Sequence, residues 1–208
     1  MPYADQRRIS AGHSLVEVLI VLAVLAMTAS ISSLAWSHYL GRTATMQAAR
    51  VVRSKFSEAR MLAVYRGLNH FVVLDPSQRT VSIYQDSSVP IGEFDDGDPH
   101  VGTEHWPDTV HVSFPPAVTT LSNPLDGGTL IDAWSIPRAE GAGWKGARHG
   151  VLATPSGALA SADLEPEVIH SGVIVFTNNV GQTVSLGIRG QFGNVQWFRL
   201  VGSDWQEG

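Results

Sequence analysis

The chain has 208 residues, 44% of them hydrophobic and 16% charged, with a formal net charge of −5. It contains no cysteine, which excludes a disulfide framework, a thiolate nucleophile and a cysteine-ligated metal. Charge is unevenly placed: Arg42 to Arg66 carries six basic residues against Glu58, net +5, whereas Gly67 to Gly208 carries six basic against sixteen acidic residues, net −10. A domain that acidic lacks the cationic surplus on which phosphate-backbone affinity rests, so nucleic acid fits poorly as a partner.

A short leader containing Arg7 and Arg8 ends at Gly12. Val18 to Trp36 then forms a 19-residue apolar run. As a helix it spans about 28 Å, close to the roughly 30 Å hydrocarbon core of a bilayer. The run predicts a membrane-spanning helix with its basic leader inside. A secretory signal would need a small-x-small cleavage site, for which Ala26, Ala29 and Ser30 are available, but that reading leaves Gly12 and Glu17 unexplained. Glu17 is the informative residue. An acid in hydrocarbon costs a few kcal/mol, less near the interface, so it calls either for headgroup depth or for a named partner.

Gly12-His13-Ser14-Leu15-Val16-Glu17, followed by the apolar run, resembles the processing site of the type IV pilin and pseudopilin superfamily. The resemblance implies a leader over 1–12, cut between Gly12 and His13 by a membrane-embedded prepilin peptidase, and N-methylation of His13. It also implies that Glu17 meets the free N-terminal amine of a neighbouring subunit during filament assembly. His13 stands where that superfamily usually has Phe.

Helical periodicity continues past the membrane segment. Ala48, Val52, Phe56, Ala59 and Ala63 share one face, the arginines another, and Gly67 offers a C-cap after Arg66. One helix over 14–66 is predicted, membrane-spanning over 13–36 and amphipathic over 37–66. Beyond it, short apolar segments alternate with turn residues. A hairpin is expected from 70–74 and 80–84. Further strands are expected over 110–114, 150–154, 172–176, 184–188 and 195–200, the last two paired through 190–194. The fold class is therefore α+β: a long helix packed on an all-β sandwich, residues 67–208.

The junction Phe56-Ser57-Glu58-Ala59-Arg60, Ala63, Arg66-Gly67 and Phe71-Val72-Val73-Leu74 is similar to that of the GspH/FimT family. Val151 to Gly157, Val173 to Gly181 and Val184 to Val195 match that family's C-terminal pattern. The resemblance implies a pilin-like minor pseudopilin of type II secretion, near the filament tip. It would sit in the inner membrane with a single pass and its C-terminal domain in the periplasm. Its partners would be other minor and major pseudopilins. A minor type IV pilin of the FimT/FimU kind, serving pilus assembly or DNA uptake, is the alternative; Arg189 and Arg199 beside Asp204 and Glu207 match a basic DNA-binding tail poorly.

Catalytic and metal chemistry find little footing. Asp95, Asp96 and Asp98 lack the alternation and closing glutamate of a calcium loop. His100 and His105 fall in an expected loop between Pro99 and Pro107, and His111 should face solvent on its strand, so zinc is not expected. No nucleophile elbow, phosphate loop or His-Glu-x-x-His is present, and neither enzyme activity nor a cofactor is expected. Trp197 is expected in the core, and one of Trp106, Trp134 and Trp144 as an exposed contact.

Overall fold

The computed structural model describes residues 15–87, 94–95, 97–116, 118–135, 149–161, 169 and 171–208. The elements begin with α1 (Leu15–Arg66), β1 (His70–Asp75), β2 (Thr80–Gln85), β3 (His100–His105) and β4 (Val110–Val112). They continue with β5 (Leu121–Ser122), β6 (Thr129–Leu130), β7 (His149–Ala153) and β8 (Leu159–Ser161). The chain closes with β9 (Gly172–Asn178), β10 (Thr183–Arg189), a 3-10 turn (Gly190–Phe192), β11 (Asn194–Val201) and β12 (Asp204–Glu207). Two units are distinguishable, Met1–Tyr39 and Leu40–Gly208.

In the first unit every described side chain is exposed, Leu34 being outside the description. The second unit begins in the same helix, one face of which is buried. Ala48, Val52, Ala59 and Ala63 are fully buried and Phe56 is 1% exposed, so the periodicity read from the sequence marks the packed face. Gly67 ends the helix in the left-handed region (φ 67°), its N–H donating to the Ala63 carbonyl at 2.9 Å.

Two five-stranded antiparallel sheets receive that face, in the orders β3-β2-β1-β7-β8 and β12-β11-β10-β9-β4, with β5 and β6 as a separate pair. Val72, Leu74, Val81, Ile83 and Val151 of the first sheet join Ile174, Phe176, Val184, Leu186 and Ile188 of the second in one cluster with α1. The first sheet's other face carries Phe71, Val73 and Leu152 under Phe94, and the second sheet's carries Val173 and Val175 under Leu130 and Ala133. Covering on both faces explains why β1 and β9 read as continuous apolar runs rather than alternating ones. The two expected hairpins form in register, Val72 opposite Ile83 and Leu186 opposite Trp197.

Several expectations need correction. His100 and His105 lie on a strand, not in a loop: β3 pairs with β2 through Ile83–Gly102 and Ser82–Thr103. The strand expected over 110–114 stops at Val112, although the Ser113 N–H still donates to the Val175 carbonyl at 3.2 Å. Trp106 and Trp134 are buried, so neither is an exposed contact, and Trp144 lies outside the described residues. Trp197 is half-buried against the core rather than inside it.

Candidate functional site

Glu17 lies in the first turn of α1, where a carboxylate is favoured by the partial positive charge of the exposed N–H groups. Its side chain is exposed, and from Leu15 to Gly41 it is the only Asp, Glu, Lys or Arg. Gly12 and His13 lie outside the described residues.

The polar side chains of this stretch satisfy themselves locally. Thr28 Oγ1 donates to the Leu25 carbonyl at 2.9 Å, Ser30 Oγ to Ala26 at 2.8 Å, Ser32 Oγ to Thr28 at 2.8 Å and Ser33 Oγ to Ser30 at 3.0 Å. Hydroxyls so engaged leave no donor that must find water, which makes them tolerable in lipid. Trp36 and Tyr39 follow, exposed, with ring centroids 6.0 Å apart. Such amphipathic rings suit a membrane–water boundary. By length and composition this helix could cross a membrane once.

This N-terminus carries a named signature. Residues 7–33 match the family model described as the prokaryotic N-terminal methylation motif. The chain carries the methylation motif. The match takes in Gly12 and His13 together with Glu17, and ends within the exposed apolar helix. Two solved structures of the minor pseudopilin EpsH from the type 2 secretion system of Vibrio cholerae are similar to the chain. One has 8% identity and a TM-score of 0.44, covering 74% of this chain and 96% of that chain. The other, a crystal structure, has 12% identity and a TM-score of 0.45, covering 79% and 99%. No curated protein matches.

The remaining candidates are not brought together. His100 and His105 sit on β3 at the edge of one sheet and His111 on β4 at the edge of the other. His100 Nε2 lies 2.8 Å from Thr103 Oγ1, a contact within its own strand. Asp95 Oδ1 accepts the Gly97 N–H at 2.6 Å, and Asp98 accepts the Ser87 and Asp95 N–H groups at 2.8 and 3.2 Å. These carboxylates hold their loop; Asp96 lies outside the described residues. Among the described residues no group of three or more His, Cys, Asp or Glu side chains could hold a metal.

Lys55 ties the basic half of α1 to the acidic domain. Its side chain is only 7% exposed, with Nζ 2.8 Å from Glu58 Oε2 and 3.2 Å from Glu104 Oε1 on β3. Burial works against the ammonium, but hydrogen bonds to both carboxylates and their charges outweigh it and raise its pKa above the ordinary lysine value. Arg60 is likewise engaged, Nη1 donating to the Gly193 carbonyl at 3.2 Å. Neither long-range contact is visible in local sequence, because Glu104 and Gly193 lie far along the chain from Lys55 and Arg60.

Proposed function

We propose that the chain is an H-type minor pseudopilin of type II secretion. Prepilin peptidase would cut between Gly12 and His13 and methylate the new N-terminus at His13. The helix would hold the protein in the inner membrane, with residues 67–208 in the periplasm. There it acts as a structural subunit near the filament tip rather than as an enzyme, among other minor and major pseudopilins.

The observation that carries this reading is a methylation motif over residues 7–33 that includes Glu17, the sole Asp, Glu, Lys or Arg between Leu15 and Gly41. The helix-to-strand junction, with Phe56, Ala59 and Ala63 buried in the same cluster as Val72 and Leu74 of β1, supports the narrower choice of family. Glu17 has a physical role in this scheme. A carboxylate in hydrocarbon is costly alone, and the amine freed at His13 of a neighbouring subunit would neutralise it as the helix leaves lipid for the filament.

Intact-mass measurement on protein from membranes that contain the peptidase should show loss of the first twelve residues and a gain of one methyl group. Glu17→Ala should still be processed and inserted but should fail to enter cross-linked filaments. A mature form that keeps residues 1–12, or normal assembly of Glu17→Ala, would refute the mechanism.

A further inference from the structure

Within the Leu40–Gly208 unit, the start of the buried half of α1 and the turns β9–β10 and β11–β12 enclose an open groove of about 430 Å³. Arg42, Thr45, Gln182, Thr183, Arg199 and Gly202 contribute to its lining. Among the described residues its only charged lining groups are the two arginines, although the sequence from Gly67 onward carries a net charge of −10. Asp204, opposite Val201 on β12, is not part of the lining. Arg199 spends one N–H on Gln206 Oε1 at 3.3 Å, across the β11–β12 pair.

The groove is fixed to the helix by close packing at Gly41. A Cβ there would meet Asn178 Nδ2 at 2.7 Å and Val180 Cγ2 at 3.0 Å, so the β9–β10 turn lies directly on the helix one residue before Arg42. Beside the arginines, Val180 and Val201 are 52% and 41% exposed. Cations flanked by bare apolar side chains suit the zone where phosphates meet acyl chains. Connectivity supplies the location: Arg42 follows Tyr39 by less than one helical turn, and Tyr39 and Trp36 close the exposed apolar run.

We propose that this groove seats the phosphate of an anionic phospholipid in the bilayer that α1 crosses, while Val180 and Val201 enter the headgroup layer. This rests on the reading of 13–36 as membrane-spanning. Guanidinium groups match phosphate oxygens two at a time, so Arg42 and Arg199 suffice for one headgroup. The same two cations are too few for a polyanion such as nucleic acid, whose affinity scales with the number of phosphates neutralised. The groove would set the height and tilt of the domain over the membrane before it joins a filament.

The full chain, reconstituted in lipid nanodiscs, tests this. It has no native cysteine, so single reporters can be placed by Val180→Cys, Val201→Cys, Ile20→Cys and, as a remote control, Ser156→Cys. Ser156 precedes Gly157, whose Cβ position is 3.3 Å from Arg60 Nε, some eighteen residues or about 27 Å further along the helix than Arg42. With a fluorophore on each and spin-labelled headgroups as quenchers, discs containing about 30% phosphatidylglycerol should quench positions 180 and 201 at least about twofold more than neutral discs. Position 156 should not respond, and Arg42→Gln with Arg199→Gln should remove most of the difference.

Quenching of position 20 by spin-labelled acyl chains reports insertion separately. If position 20 is quenched while 180 and 201 are not, or respond equally in neutral lipid, the groove proposal is overturned and the membrane reading stands. If position 20 is not quenched, the membrane reading itself fails and the proposal with it. Release by millimolar inorganic phosphate would indicate a general anion site, and release by a short DNA duplex a nucleic-acid site; either overturns the lipid assignment.

Discussion

Gly190 opens the 3-10 turn between β10 and β11, and replacing it with Ala tests how the two sheets are joined. A Cβ at this position would lie 2.4 Å from the carbonyl oxygens of both Leu159 and Ile169, and 2.8 Å from Ile169 Cβ. An ordinary carbon–oxygen contact is about 3.3 Å, so the overlap approaches 1 Å against two backbone atoms. The Leu159 oxygen cannot easily yield, because it accepts the Ile169 N–H at 3.0 Å, a bond that also holds Ile169 beside it. Overpacking costs about 1–3 kcal/mol where side chains can adjust, and two fixed backbone contacts put Gly190→Ala at about 3 kcal/mol or more.

Gly202→Ala is the internal control. Gly202 has φ 65° with nothing within 4 Å of an added Cβ, so only the left-handed conformation is penalised, at about 1–2 kcal/mol. For a chain of this size 1 kcal/mol moves Tm by roughly 2–4 °C. Tryptophan-monitored melts of the full chain in detergent should therefore drop by about 6–12 °C for Gly190→Ala and roughly 2–8 °C for Gly202→Ala. A Gly190→Ala melt no lower than that of Gly202→Ala would show that the sheets do not touch backbone to backbone there.

Three further outcomes are expected. Lys55→Met removes a buried ammonium from two carboxylates that are 40% and 48% exposed and can turn to water, so it should cost about 1 kcal/mol or less in urea unfolding. Glu58→Gln with Glu104→Gln strands that ammonium and should cost about 3–5 kcal/mol; equal losses would refute the burial argument. Arg60→Ala should cost about 1.5–3 kcal/mol and speed amide exchange in residues 190–193, and unchanged exchange would contradict the contact with Gly193.

His70 is fully buried, its Nδ1–H donating to the Leu68 carbonyl at 2.9 Å, and burial lowers its pKa below the ordinary 6.5, with Arg66 adding to the effect against the Leu68 carbonyl and Asp86. The unfolded chain therefore binds the proton first. The contribution to stability is intact above about pH 6.5 and is lost as pH falls from there toward the folded-state value, by up to about 1.4 kcal/mol per pH unit. His70→Gln should flatten that part of the stability profile, measured by urea melts between about pH 7.5 and 5; an unchanged slope would assign it to other groups.

Elements with strong local signals were legible. The helix, the β1–β2 hairpin and the β10–β11 pair each combine periodicity with a turn glycine or a Pro-Ser turn, and their partners are near in sequence. β3 was not, because His100-Val101-Gly102-Thr103-Glu104-His105 is an exposed edge without apolar alternation between two prolines. β5, β6, β8 and β12 are two to four residues long, too short for a period to show. For the site, Glu17 stood out because a lone acid in an apolar run is chemically conspicuous. The burial of Lys55 and the presence of Arg42 and Arg199 in one groove depend on parts of the chain dozens to more than a hundred residues apart, which no local pattern encodes.

The way α1 grips its domain bears on mechanical load. Lys55 reaches Glu104 at the rim of one sheet, while Arg60 holds Gly193 at the end of the other and lies beside Gly157 of the β7–β8 turn. Tension on the helix would thus be shared between both sheets at once.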